Sequence, residues 1–289
     1  MAEMQKTVGS KGALILDEAA RRGRRTIRWP EDSDWLEEIT PAPQRLLNRL
    51  KDNGLLYAAG SSRFVIAPAG TRSIRQAASA ELLADLALRP HGDYYVGFLS
   101  ALIAHHLTDL HSGATYVAVR QGSRPRRLPD GLIVAALPQD SWPAPAGEEV
   151  ERVRVGESKE FFDRSTPERT LVDGLLRPDL CGGIETVVGA WARARERSEI
   201  RWSLVAEIAA RIGGATLRRV AFLLGELGFD RLVETHLPPI AGRATTPLFD
   251  RSREYDLPRK KMRRDPATGV MVNVPRDYLR GWIAGASAG

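Results

Sequence analysis

Cysteine is almost missing from these 289 residues: Cys181 stands alone. A single thiol has no partner for an intramolecular disulfide, which excludes a disulfide-stapled scaffold and fits a reducing cytosol. Long apolar runs are missing too. No stretch approaches the roughly 20 apolar residues that a membrane-spanning helix needs. The short apolar run near the N-terminus is broken by Asp17 and Glu18, which argues against a signal peptide or an anchor. The expected location is the cytoplasm, with no membrane partner. Repeats of fixed period and long low-complexity tracts are also lacking, so a repeat array is not expected.

The usual catalytic signatures are absent as well. No GxSxG elbow occurs, and Cys181-Gly182-Gly183 carries no sequence sign of an activating base. Gly182-Gly183 and Gly213-Gly214 precede helical patterns, yet neither matches a phosphate-loop or dinucleotide fingerprint and both read as helix punctuation. His105, His106, Asp109 and His111 crowd one segment, but adjacent His105 and His106 point about 100° apart on a helix and no HExxH spacing is present. The expectation is a protein that is not an enzyme, with no catalytic residues, cofactor or metal.

What is present is bulk and positive charge. The length suits about two domains at roughly 100–200 residues each, and 43% hydrophobic with 27% charged residues is ordinary for a globular chain. The net charge is +6, and arginine supplies nearly all the cations, the only lysines being Lys6, Lys11, Lys51, Lys159, Lys260 and Lys261. A basic surplus favours a polyanionic partner, because cations at phosphates release counterions.

The order of elements predicts an α+β protein with two domains, 1–70 and 71–289. In the first, "GALILDEAARR" has helical spacing and stops at Gly23, "RTIRW" suits a short strand, and "PEDSDWLEEI" starts like a helix. Thr40 is expected to cap the next helix, with Pro41 at its first position. Leu46, Leu47 and Leu50 share one face of that helix. Arg45, Asn48 and Asp52 fall opposite, flanked by Gln44, Arg49 and Lys51. Asn53-Gly54 ends it, and "LLYAA" and "RFVIA" form a hairpin around Gly60. Beyond Pro68, 79–89 reads as an amphipathic helix and 94–107 as one buried helix. Strands are expected at 114–120, 131–138 and 151–155, then helices at 165–177, 182–197, 201–212 and 215–228. Ser165 or Thr166 would cap the first of these. Strand-like runs alternate with turns in the tail.

Helix, helix and hairpin with a cationic second helix is the layout of a winged helix-turn-helix, whose recognition helix enters a major groove about 12 Å wide. Arg45 and Arg49 could reach guanine edges or phosphates, and Asn48 could make the bidentate adenine contact. Ser61, Ser62 and Arg63 would serve as wing contacts, with Gln44 and Lys51 beside them. Arg21, Arg22, Arg24 and Arg25 form a second basic group. Arg259, Lys260, Lys261, Arg263 and Arg264 form a third, a candidate for secondary anion contacts.

With these residues in view, the chain resembles the AbiEi family of type IV toxin–antitoxin antitoxins, including mycobacterial members. The resemblance spans most of the length and is carried by the order and spacing of "QRLLNRLKDNGLLYAAGSSRFVIAP", "YYVGFLSALIAHHL", "STPERTLVDGL" and "TLRRVAFLLGELG", with "RRLPDGLIVAALP" as a strand entry. It implies a winged-helix domain that binds inverted repeats in the promoter of its own operon as an autorepressor, acting as a monomer or as a pair assembled on DNA. It further implies a C-terminal domain that counters a nucleotidyltransferase-like toxin. The residues alone leave open a ligand-responsive regulator without a toxin, or a metal-dependent nucleic-acid-processing enzyme.

Overall fold

The computed structural model describes residues 9–121, 131–144, 148–240, 244–249 and 257–286, and the architecture is α+β. The chain begins with α1 (Ser10–Arg21), β1 (Thr26–Arg28), α2 (Ser33–Ile39), α3 (Pro43–Asp52), β2 (Leu56–Ala58) and β3 (Arg63–Ile66). Strand β3 is central and pairs antiparallel with both β1 and β2. Apolar residues at helical spacing put Ile15 and Ala19, Trp35 and Leu36, and Leu47 and Leu50 on the inner sides of the three helices. There they meet Ile27, Leu56 and Phe64 in one core.

The start of α3 differs from expectation. Thr40 and Pro41 stay outside the helix, Ala42 is the N-cap residue and Pro43 takes the first turn. Proline at 43 disfavours helical backbone at the residue before it, so the helix cannot include Ala42. Thr40 Oγ1 instead accepts a hydrogen bond from the Ala42 N–H at 3.4 Å.

After β3 follow α4 (Ile74–Ala77), α5 (Ala80–Leu88), β4 (Tyr94–Val96), α6 (Phe98–Ala104), β5 (Thr115–Arg120), β6 (Leu132–Leu137), β7 (Val150–Arg154) and β8 (Phe161–Ser165). The five strands form one mixed sheet in the order β6-β5-β4-β8-β7. Helix α5 covers one face, with Ala84, Ala87 and Leu88 against Tyr94, Val96, Val117, Val119 and Phe162. The other face sends Tyr95, Ala118, Ala135 and Leu137 into the main core. A sheet buried on both faces needs apolar residues at successive positions, which explains why "YYV" lacks alternation.

That same pattern misled the expectation of a single helix over 94–107. Residues 94–96 are a strand, Phe98 takes a positive φ of 53°, and α6 is short. Gly97 leaves no room for a side chain, since a Cβ there would lie 2.9 Å from Tyr95 Cε2.

The helical layer comprises α7 (Pro167–Leu176), α8 (Ile184–Arg195), α9 (Trp202–Ile212), α10 (Gly214–Glu226) and α11 (Asp230–His236), and packs on the sheet's second face. Thr166 caps α7 through its side chain, whereas Ser165 ends β8. Within this layer Arg169 is fully buried. Its guanidinium donates to Asp173 at 2.9 Å, Glu149 at 2.8 Å, the Tyr95 hydroxyl at 3.1 Å and the Ser141 carbonyl at 2.5 Å. The chain closes with β9 (Thr246–Pro247), β10 (Arg263–Arg264), β11 (Val270–Val272) and α12 (Arg276–Ala286), the last packed on α8. Strand β8 and helix α12 are additions to the expected elements. Residues 126–130 of the expected strand entry and residues 250–256 of the tail lie outside the described residues.

The N-terminal unit is fastened to the rest by two kinds of contact. Ala59 and Val65 pack with Ala77, Ala78, Leu82, Leu83 and Leu86. Beside them, buried Glu160 accepts hydrogen bonds from the Thr26 N–H (3.1 Å), the Thr26 hydroxyl (2.6 Å), Arg24 (3.2 Å) and Arg28 (3.0 Å). Arg28 also reaches Asp85 at 3.0 Å, and Asp85 in turn accepts from Tyr94 and Arg89. Burial, then the neighbouring Asp85 charge, pushes the Tyr94 hydroxyl well above its usual range, so it remains a neutral donor.

Candidate nucleic-acid interface

Helix α3 turns Leu47 and Leu50 inward and leaves Gln44, Arg45, Asn48 and Arg49 exposed. The sequence dictates this division, because polar residues at 44, 45, 48 and 49 lie on the turns opposite the buried leucines. Gln44 Nε2 donates to Ser62 Oγ at 3.0 Å, which ties the beginning of α3 to the β2–β3 turn. Ser62 has a positive φ of 55°, and its carbonyl accepts from the Trp29 N–H at 2.9 Å. The turn is therefore fixed against both α3 and the end of β1.

The other cations of this unit divide into engaged and open ones. Arg63 donates to Glu31 at 2.5 Å and to the Ser61 carbonyl at 3.2 Å, and its side chain is mostly covered. Lys51 is half-buried and lies 3.4 Å from Asp52. Arg21 and Arg22 both bind Glu18, and their hydrogen bonds hold the Glu18 carboxyl below its ordinary range. Arg24 faces Asp32 and Glu160 at the joint between the two parts of the molecule. Arg25 is exposed. Among the described residues, Lys11, Arg25, Arg45 and Arg49 form no ion pair.

The sequence had paired Arg21, Arg22, Arg24 and Arg25 into one basic group, and the structure sends them in different directions. The acidic partners explain this. Glu18 lies within a helical turn of Arg21 and Arg22, while Glu160 reaches Arg24 from the distant β7–β8 turn. Lys11, outside every basic cluster of the sequence, sits in the first turn of α1 after Gly9. Its signal was a cation in a helix first turn that contains no acidic residue.

In the C-terminal part, Arg259–Lys261 form a 3₁₀ turn and Arg263 and Arg264 form edge strand β10. All five cations are exposed. The histidine-rich segment is organised by arginines. His105 Nε2 donates to the Ser165 carbonyl at 2.7 Å, Arg197 donates to the carbonyls of His105 and His106, and Arg193 pairs with Asp109. Among the described residues, no three His, Cys, Asp or Glu side chains converge as a metal site. No helix among them is long and apolar enough to cross a membrane.

No protein-family model matches the sequence, and no curated protein matches it. Among solved structures, the chain is similar to the RV2827C protein from Mycobacterium tuberculosis. The TM-score is 0.65 and the identity 15%, over 95% of each chain. At that identity the likeness is one of fold, and it extends through both the N-terminal unit and the larger part that follows.

Proposed function

We propose that this chain is a DNA-binding antitoxin of the AbiEi type, with residues 1–70 as its winged helix-turn-helix and residues 71–289 as its antitoxin domain. In this reading α2 and α3 are the helix pair, α3 is the recognition helix, and the β2–β3 hairpin is the wing. One observation carries it. The exposed face of α3 holds Gln44, Arg45, Asn48 and Arg49, with both arginines free of ion pairs among the described residues. Gln44 and Asn48 have the amide groups that read adenine edges, and the arginines suit guanine edges or phosphates. Arg63, with Ser61 and Ser62, stands at the wing; its bond to Glu31 must open or be shared for it to touch a phosphate. The opposing role towards a nucleotidyltransferase-like toxin rests on the sequence resemblance.

Two measurements test the reading. Gln44→Ala/Asn48→Ala in the full chain should lose its preference for the inverted repeats upstream of its own gene over a shuffled duplex, by about 1–3 kcal/mol per lost bidentate contact. Unchanged preference would remove α3 from base recognition. Co-expression of the full chain with an adjacent nucleotidyltransferase-fold gene should restore growth, and persistent arrest would contradict the antitoxin role.

A further inference from the structure

A cleft of about 340 Å³ lies between the start of α1 and the length of α3. Gly9, Ser10, Lys11 and Gly12 line it from one side, and Arg45, Arg49 and Asn53 from the other, with Leu46 and Leu50 also in its wall. Three cations from two separate helices therefore share one concavity, and none of them forms an ion pair among the described residues. Elsewhere in the same unit, Arg21, Arg22, Arg24, Arg28 and Arg63 all have carboxylate partners, and exposed Arg25 stands apart from the cleft lining. The first turn of α1 adds to the positive field. It has neither a side-chain cap from Gly9 nor an acidic residue, so among the described residues its N–H groups meet no side-chain acceptor. Among the described residues nothing lies within 4 Å of where a Cβ on Gly9 would stand, so a ligand can approach the backbone closely there.

We infer that this cleft is a phosphate-binding site, in which Lys11, Arg45, Arg49 and the first-turn N–H groups of α1 surround one tetrahedral oxyanion. Cationic side chains and a helix N-terminus converging on a concavity supply both the charge and the directed donors that a phosphate requires. The inference deepens the DNA-contact reading and rests on it for the source of the anion, a backbone phosphate diester. It also divides the labour on α3. Arg45 and Arg49 position the duplex without reading its sequence, while Gln44 and Asn48 carry the base contacts.

The experiment uses the full chain and two probes. Inorganic phosphate, followed by amide chemical shifts, is expected to move the resonances of Ser10, Lys11 and Gly12 saturably, and Arg45→Ala/Arg49→Ala is expected to abolish the movement. In duplex binding, the same double variant should weaken affinity equally for the upstream DNA and for a shuffled duplex. It should also flatten the slope of log K against log salt by up to about one, because the three cations share a single phosphate. Arg45→Lys/Arg49→Lys keeps the charge and should keep most of the slope, which separates charge loss from misfolding. Amides unmoved by phosphate, together with an unaltered salt slope in the alanine variant, would overturn the inference and leave DNA binding standing. Amides that respond through both arginines in a chain that binds no duplex would uphold the anion site. They would remove the DNA reading and assign the site to a free phosphate compound.

Discussion

Arg169 carries its charge where no solvent reaches it, and its stability there depends wholly on Asp173, Glu149, Tyr95 and the Ser141 carbonyl. Replacing it with leucine leaves Asp173 buried without its cation, while Glu149 keeps Arg211 at 2.8 Å. The expected cost is about 3–5 kcal/mol, read by urea unfolding. Nothing in "STPERTL" distinguishes Arg169 from a surface arginine, because its i,i+4 pair with Asp173 is a common surface spacing and Glu149 comes from the residue before β7. His105 offers a second residue-scale test. Burial first, against the hydrogen bond to Ser165, holds its imidazole below the usual histidine range. The unfolded chain therefore takes up a proton that the folded chain resists, so stability is present above the ordinary histidine pKa and is lost as pH falls below it. Denaturation midpoints measured from about pH 7.5 down to about pH 5.5 should fall in the parent, and fall less in His105→Gln.

At the scale of elements, α3 was readable because its three leucines and its polar residues recur at helical spacing. Leu47→Ala should destabilise the N-terminal unit by about 2–5 kcal/mol in a denaturant titration, since Leu47 is fully buried in that unit's core. The helix start was misread because two prolines, Pro41 and Pro43, compete for the same role and only the second is followed by uninterrupted helix. The segment 94–107 shows a different limit. A short apolar run cannot be assigned to strand or helix from periodicity when both its faces are buried. Strand β8 was hidden by its charged interior residues Asp163 and Arg164. Helix α12 was hidden by Gly281 and Gly285, which lower helix propensity, and by the burial of Leu279 alone.

At the scale of the whole molecule, Glu160 joins the two parts through Thr26, Arg24 and Arg28. Glu160→Ala would leave Arg24 and Arg28 beside a vacated, largely covered pocket, with Arg24 still held by Asp32 and Arg28 by Asp85. A loss of about 1–3 kcal/mol is expected, accompanied by faster proteolytic cleavage in the connection at 67–73. Wild-type cleavage rates there would show that the apolar contacts of α5 suffice. The net charge of +6 suggested a polyanion, but it could not show which arginines remain available, because Glu160 is over a hundred residues from Arg24 in sequence. Only folding separates engaged cations from the open set on α3 and α1. The central claim is that this open face meets duplex DNA. Hydrogen exchange of the full chain with and without its own upstream duplex tests it most directly. The account predicts protection concentrated at residues 9–13, 40–53 and 58–64; protection absent there and confined to residues 257–264, or to the C-terminal helices, would contradict it.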